Sequence, residues 1–260
     1  MITANDILAF METLAPRYMQ YEWDNTGLLC GSRSKEIKKI LVALDPFEEV
    51  CREAKELGAD LLLTHHPLIV EGLKAINDES DIGRAIMLLV QNNIAAINAH
   101  TNLDCAPGGV NDTLAAVLGL RDVEIIDPKG GTVSYGLLRI GNVNEQPLSA
   151  FLTHVKQALG CQGLRYVDGG KAVCRVAVGG GSCGSDLWDA ARAGCDTFVT
   201  ADVKYNQFHE ALAMGINMID AGHFYTENPT MAVVAAKLRA EFPEIEVIES
   251  KTHKDCVNFF

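Results

Sequence analysis

A chain of 260 residues, 48% of them hydrophobic, can bury a substantial core as one large α/β domain or as two lobes. Its formal net charge of -12 argues against a general nucleic-acid-binding surface, because phosphate contacts need clustered Lys and Arg. No run is long and apolar enough to span a bilayer, and Met1 to Asp6 lacks the basic and apolar regions of a secretory signal. The eight cysteines form no Cys-x-x-Cys and read as reduced, buried thiols, so the expectation is a cytoplasmic protein without membrane contact.

Residues 3 to 13 form a predicted helix, capped by Thr3 or Asn5, with Ile7, Leu8, Phe10 and Met11 on its apolar face. Ile40 to Asp45 reads as a strand, 47 to 57 as an amphipathic helix and Asp60 to Thr64 as a buried strand. A helix near 80 to 92, a strand at 94 to 98 and a helix from Gly109 to Leu118 follow. Pro128-Lys129-Gly130-Gly131 is a predicted turn, 132 to 141 a strand and Pro147 to Leu159 a helix with proline at its start. Next come a strand at Val173 to Val178, a helix at Ser185 to Ala193, and a strand at Thr197 to Thr200. A helix at Val203 to Met214, a strand at Ile216 to Ile219, a helix at Pro229 to Phe242 and a short strand at 245 to 248 close the chain. The order predicts an α/β fold of two similar lobes, each a mixed sheet flanked by helices. Lobe one takes roughly 1 to 125 with 241 to 260, and lobe two 126 to 240.

The lobes are linked by a repeated spacing. Ala54, Gly58, Asp60 and Thr64 recur at the same offsets as Ala190, Gly194, Asp196 and Thr200. Each copy is a helix end, a glycine stop and a buried strand. The first copy runs on into His65-His66-Pro67 and the second into Ala201-Asp202. Downstream, the runs Ile94 to Ile97 and Ile216 to Ile219 lead to His100-x-x-x-Asp104 and His223-x-x-x-Glu227. A four-residue spacing puts both groups on one face of a helical turn. Adjacent side chains on extended chain diverge, so His65 and His66 suit two ions about 3.5 to 4 Å apart better than one.

Histidines and carboxylates collected at strand ends predict a metal site. Other candidates are weaker. The Gly179 to Ser185 loop can cradle phosphate, but it lacks the P-loop lysine and reads first as a tight strand-to-helix turn. His154 and His209 read as helix-surface residues, His253 as part of a polar tail, and Cys105 as packing. No side chain is singled out as catalytic.

The segments Glu22 to Leu28, Thr64 to Pro67, His100 to Asp104, Gly194 to Tyr205 and Gly222 to Glu227 resemble the Nif-three-like family. Its members are also called dinuclear metal centre proteins or GTP cyclohydrolase I type 2 homologues. The chain is similar to the short form, without the central inserted domain. Ala201 departs from the glycine of many relatives. The resemblance implies a toroidal homohexamer and two divalent metal ions per subunit. By that likeness the ligands are His65, His66, Asp104, His223 and Glu227, with Glu227 as a bridge and His100 as an extra ligand or a supporting group. Zinc, iron, manganese, nickel or cobalt suits such a set.

Three functions follow from this reading. One is a metal-dependent hydrolase acting on a nucleotide or phosphoester. The second is a metal-binding or metal-delivery protein without catalysis. The third is a hexameric scaffold for a partner.

Overall fold

The computed structural model of the chain describes residues 1 to 126 and 135 to 260. In chain order its elements begin α1 (Ala4–Leu14), β1 (Gly27–Cys30), β2 (Lys39–Ala43), α2 (Glu48–Glu56) and β3 (Leu61–Thr64). They continue with α3 (Asp81–Gln91), β4 (Ala95–Asn98), α4 (Thr101–Cys105), α5 (Val110–Val117), β5 (Arg121–Ile125) and β6 (Arg139–Gln146). Then come α6 (Leu148–Leu159), β7 (Arg165–Val167), β8 (Val173–Val178), α7 (Leu187–Arg192), β9 (Thr197–Thr200) and α8 (Tyr205–Met214). The chain closes with β10 (Asn217–Asp220), α9 (His223–Glu227), α10 (Pro229–Glu241) and β11 (Glu246–Glu249). Contacts divide it into two compact units, Met1–Leu103 with Met231–Lys254, and Asp104–Thr230 with Asp255–Phe260.

The sheet of the first unit has the order β1-β4-β3-β2-β11. Strands β2, β3, β4 and β11 run parallel, and β1 is antiparallel beside β4. Parallel strands are buried on both faces, so they read as unbroken apolar runs. Leu61, Leu62 and Leu63 meet that demand, each at most 1% exposed. Leu41, Leu62 and Ala96 pack with Val50, Cys51 and Ala54 of α2 and with Ala85 and Leu89 of α3.

The sheet of the second unit has the order β5-β6-β8-β9-β10-β7. Strands β8, β9 and β10 are parallel, while β7 and β6 flank them antiparallel. Alternate side chains face opposite sides. Val176, Val178, Val199 and Ile219 join Leu114, Phe151 and Val155 of α5 and α6. Ala177, Phe198 and Met218 join Leu187 and Ala211 of α7 and α8. Two sheets flanked by helices are what the element order implied.

The repeat has one structural job. Asp60 Oδ2 accepts the backbone N–H groups of Lys38 and Lys39 at 2.9 and 3.1 Å. Asp196 accepts those of Cys174 and Arg175 at 3.0 and 2.7 Å. Each aspartate thereby satisfies the entrance of the neighbouring parallel strand. Its own backbone bonds both neighbours of its strand, Asp60 to Lys39 and Ala95, Asp196 to Arg175 and Asn217. Gly58 and Gly194, at φ 65° and 76°, end the preceding helices in the left-handed conformation that glycine adopts without strain. Burial pushes the Asp60 carboxyl up, but the backbone N–H of Lys38 and the Lys35 ammonium outweigh it and leave it below its ordinary value.

Several details differ from the sequence reading. Residues 104 to 125 were expected with lobe one, but α5 buries Leu114 and Ala115 in the second unit's core, and β5 pairs with β6. Of the strand expected at 132 to 141, residues 132 to 134 lie outside the described residues, as does the expected turn at 128 to 131, and β6 begins at Arg139. Strands β1, β5 and β7 were not anticipated.

Asp60→Ala or Asp196→Ala leaves strand-entrance N–H groups without their acceptor. Each is expected to cost about 1 to 3 kcal/mol, read as a lower urea midpoint at unchanged slope.

Candidate metal centre

In the first unit the candidate ligands follow the carboxyl ends of the parallel strands, where open α/β sheets place their sites. His65 and His66 follow β3, and His100 follows β4. Backbone bonds from His66 to Leu44 at 2.9 Å and from Ala99 to Thr64 at 3.1 Å carry the ladder beyond the strands. Thr64 Oγ1 donates to the His66 carbonyl at 2.7 Å. The loop carrying the histidines is therefore held rigidly.

Each ring is fixed through Nδ1. His65 Nδ1 donates to the Ala99 carbonyl at 2.9 Å, and the residue is fully buried. His66 Nδ1 donates to Asp45 Oδ1 at 2.6 Å, and His100 Nδ1 to Asp24 Oδ1 at 2.8 Å. A carbonyl or carboxylate only accepts, so the proton sits on Nδ1 and the lone pair of the neutral ring on Nε2. The ring centroids are 4.9, 5.2 and 5.4 Å apart, and one ligand atom from each residue lies within 4.8 Å of the others. Burial pushes the Asp24 carboxyl up, but bonds from His100 and Thr101 prevail and hold it at about 2. Asp45 is likewise buried, yet bonds from His253 and His66 hold it well below the usual carboxylate range. Both stay ionised acceptors at neutral pH.

In the second unit, α9 is one helical turn, so His223 and Glu227 share a face, with His223 Nε2 3.0 Å from Glu227 Oε2. Two ligands of one ion, each about 2.0 to 2.2 Å from it, can stand at that separation. His223 Nδ1 donates to Asp202 Oδ2 at 2.7 Å. Asp202 itself has φ 51°, a left-handed conformation uncommon outside glycine and characteristic of sites where backbone strain positions a side chain. Glu227 is 3% exposed and Asp104 6%.

The Gly179 to Ser185 loop packs against these carboxylates. Gly180 N donates to Asn111 Oδ1 at 2.6 Å, and Asn111 Nδ2 donates to the Asp104 carbonyl at 3.2 Å. Gly181 N donates to Thr226 Oγ1 at 3.0 Å. A methyl on Gly181 would overlap Glu227 Oε1, so only glycine leaves room for that carboxylate. The fully buried Arg139 closes the other side. Its guanidinium donates to both oxygens of Asp112 and to the carbonyls of Cys105 and Ala106, fixing the end of α4 behind Asp104. Burial raises the Cys183 thiol, and Asp186, Asp104 and Glu227 raise it further, so it remains a thiol donating to the Gly180 carbonyl.

His65, His66 and His100 thus come together in the first unit, and His223 and Glu227 in the second. Asp104 is buried on α4, and its charge, like that of Glu227, bears on Cys183. His209 and His154 are both exposed as expected, and His154 Nε2 bonds the Leu118 carbonyl at 3.1 Å. Sequence reasoning missed Asp24, Asp45 and Asp202 as the groups that orient the rings, and His253, whose Nε2 lies 2.8 Å from Asp45 Oδ2. The only signal was position: Asp45 and Asp202 each follow a strand end. Imidazole and carboxylate donors, rings pre-oriented by their Nδ1 bonds, and a glycine that leaves room for a carboxylate all fit divalent metal ions.

The family model for Duf34/NIF3 (NGG1p interacting factor 3) matches residues 2 to 256. The chain belongs to the Duf34/NIF3 family. It is 37% identical to the GTP cyclohydrolase 1 type 2 homolog of Clostridium perfringens over 98% of each chain. It is 34% identical to that of Lactococcus lactis over 95% of each. Among solved structures, a Bacillus cereus protein related to NIF3 superposes with a TM-score of 0.92 at 26% identity, covering 100% of this chain and 99% of that one. The Duf34/NIF3 assignment agrees with the two mixed sheets and with the near-complete superposition on the NIF3-related structure.

In this Duf34/NIF3 chain, Gly181→Ala is expected to cost about 1 to 3 kcal/mol and to displace the Glu227 carboxylate. Gly194→Ala, with no atom within 4 Å of the added methyl but a left-handed φ, is expected to cost about 1 kcal/mol. Thermal unfolding of the two variants checks the order.

Proposed function

We propose that the protein holds two divalent metal ions per subunit through His65, His66, Asp104, His223 and Glu227, and uses them to hydrolyse a small molecule. The observation that carries the reading is the Nδ1 bond by which His65, His66 and His223 are each held to a fixed carbonyl or carboxylate acceptor, the arrangement that orients Nε2 toward a metal ion. Asp104 and Glu227 would supply hard oxygen donors. Divalent ions bound there would lower the pKa of a water toward neutrality and polarise the bond attacked.

The chain's own residues hold and orient. Ala99, Asp45 and Asp202 fix the three rings, Asn111 and Arg139 fix the turn that carries Asp104, and Gly181 leaves space for Glu227. His100, oriented by Asp24, stands beside His65 and His66 as a further nitrogen donor or as a proton acceptor toward substrate. The name shared by the curated relatives, GTP cyclohydrolase 1 type 2 homolog, supports a nucleotide or other phosphoester as substrate class. The donor set suits zinc, iron or manganese. The likeness to the family also supports a homohexamer, checked by a sedimenting mass six times that of the chain.

Metal content of protein purified without chelator or affinity tag tests the proposal. About two ions per protomer are expected in the parent, and clearly fewer in His65→Ala and Glu227→Ala. No binding of zinc, iron or manganese by the folded parent overturns it. Bound metal without turnover of nucleotides or phosphoesters would favour metal delivery instead.

A further inference from the structure

We propose that His253 is a positioning residue of the metal centre, holding Asp45 so that Asp45 holds the His66 ring. The inference rests on the reading of His66 as a ligand. Asp45 stands between two imidazoles, with Oδ1 2.6 Å from His66 Nδ1 and Oδ2 2.8 Å from His253 Nε2. A carboxylate gripped through one oxygen can rotate about its own bond; gripped through both, it presents a fixed acceptor. The His253 side chain is 5% exposed, although the sequence around it is polar.

The fold delivers His253 to this place. Strand β11 adds to β2 in parallel, so the chain leaves β11 at the same carboxyl edge from which Asp45 projects. The turn that follows is anchored at several points. Ser250 N donates to the Val42 carbonyl at 2.8 Å, Lys251 N to Glu53 Oε1 at 2.9 Å, and His253 N to Ser250 Oγ at 3.1 Å. Ser250 Oγ also bonds Glu53 Oε2. The Phe47 ring stacks on the His253 ring, 6.0 Å between centroids and 26° between planes. The backbone bonds fix the turn, and Phe47 holds the ring itself against Asp45. The segment Ser250 to His253 is therefore part of the site, and the last strand of the first unit serves to bring it there.

The test compares the parent with His253→Ala, His253→Gln, Asp45→Asn and the double variant Asp45→Asn/His253→Ala. Zinc affinity is measured by competition with a chromogenic chelator, and the cobalt(II) form by its visible spectrum. His253→Ala is expected to bind zinc about tenfold more weakly and to shift the cobalt spectrum. His253→Gln, whose amide can donate to Asp45, is expected to recover most of the affinity. The double variant is expected to bind no more weakly than Asp45→Asn alone, because His253 acts through Asp45. Parent-like binding and spectrum in His253→Ala, or additive losses in the double variant, would overturn the inference. A parent that binds neither metal sinks the ligand reading instead. In that case nitrogen-15 spectra of the metal-free histidines still decide on His253. His66 is expected to keep one tautomer in the parent and His253→Gln and to mix tautomers in His253→Ala; an unchanged His66 signal counts against the positioning role.

Discussion

Everything in each unit depends on three parallel strands held in register at their entrances by one aspartate. Parallel strands cannot be joined by tight hairpins, so their ends must be fixed by something other than a turn. Asp60 and Asp196 do this in the two units with the same set of bonds: side chain to the neighbouring strand's first N–H groups, backbone to the strands on either side. With the entrances fixed, the number of residues in each strand determines where its carboxyl end falls. The candidate ligands emerge at those ends. The clamp and the ligands therefore sit at opposite edges of one rigid ladder, and the spacing from Asp60 to His65 is a structural length as much as a sequence motif.

The second level of constraint is the orientation of the imidazoles. A ring on a loop can rotate, and either nitrogen can carry the proton. Here four rings have Nδ1 bonded, one to a carbonyl and three to carboxylates. The acceptors cost something to keep: Asp24 and Asp45 are largely buried, and burial alone would raise their pKa values. The bonds from His100, Thr101, His66 and His253 reverse that and keep both ionised. Ring and carboxylate thus stabilise each other's state, so neither partner is conformationally independent.

Much of this was legible in the chain. The run Leu61 to Thr64 declared a strand buried on both faces, and the glycine at Gly58 and Gly194 declared the helix ends. The strands that escaped notice carried no such pattern. Strand β5 is mostly exposed and bears Arg121, Asp122 and Glu124, and β7 has only three residues. The apolar face of α5 was readable, but an amphipathic helix does not say which sheet it covers, so 104 to 125 were assigned to the wrong core. The groups orienting the rings were hidden for a related reason. Asp24 and Thr101 are 77 residues apart in the chain and meet only through the fold. His253 looked like tail because its neighbours are polar, and only the parallel addition of β11 brings it to Asp45.

The two copies have diverged where they meet the chemistry, and the divergence has an electrostatic logic. After its strand the first copy places His65-His66; the second places Ala201-Asp202 at the same offsets. The first unit thereby offers neutral nitrogen donors, each ring backed by an acceptor. The second turns its carboxylate toward the back of His223 and adds Glu227 one helical turn on. Two divalent ions on three neutral imidazoles and two carboxylates would leave an excess of two positive charges. Asp45 and Asp202, one bond beyond His66 and His223, would balance that excess. Asp24, Asp104 and Glu227 are buried, and burying a carboxylate is costly by itself. Cations bound as proposed would offset that cost, so the carboxylates would then favour the metal-loaded state over the metal-free one.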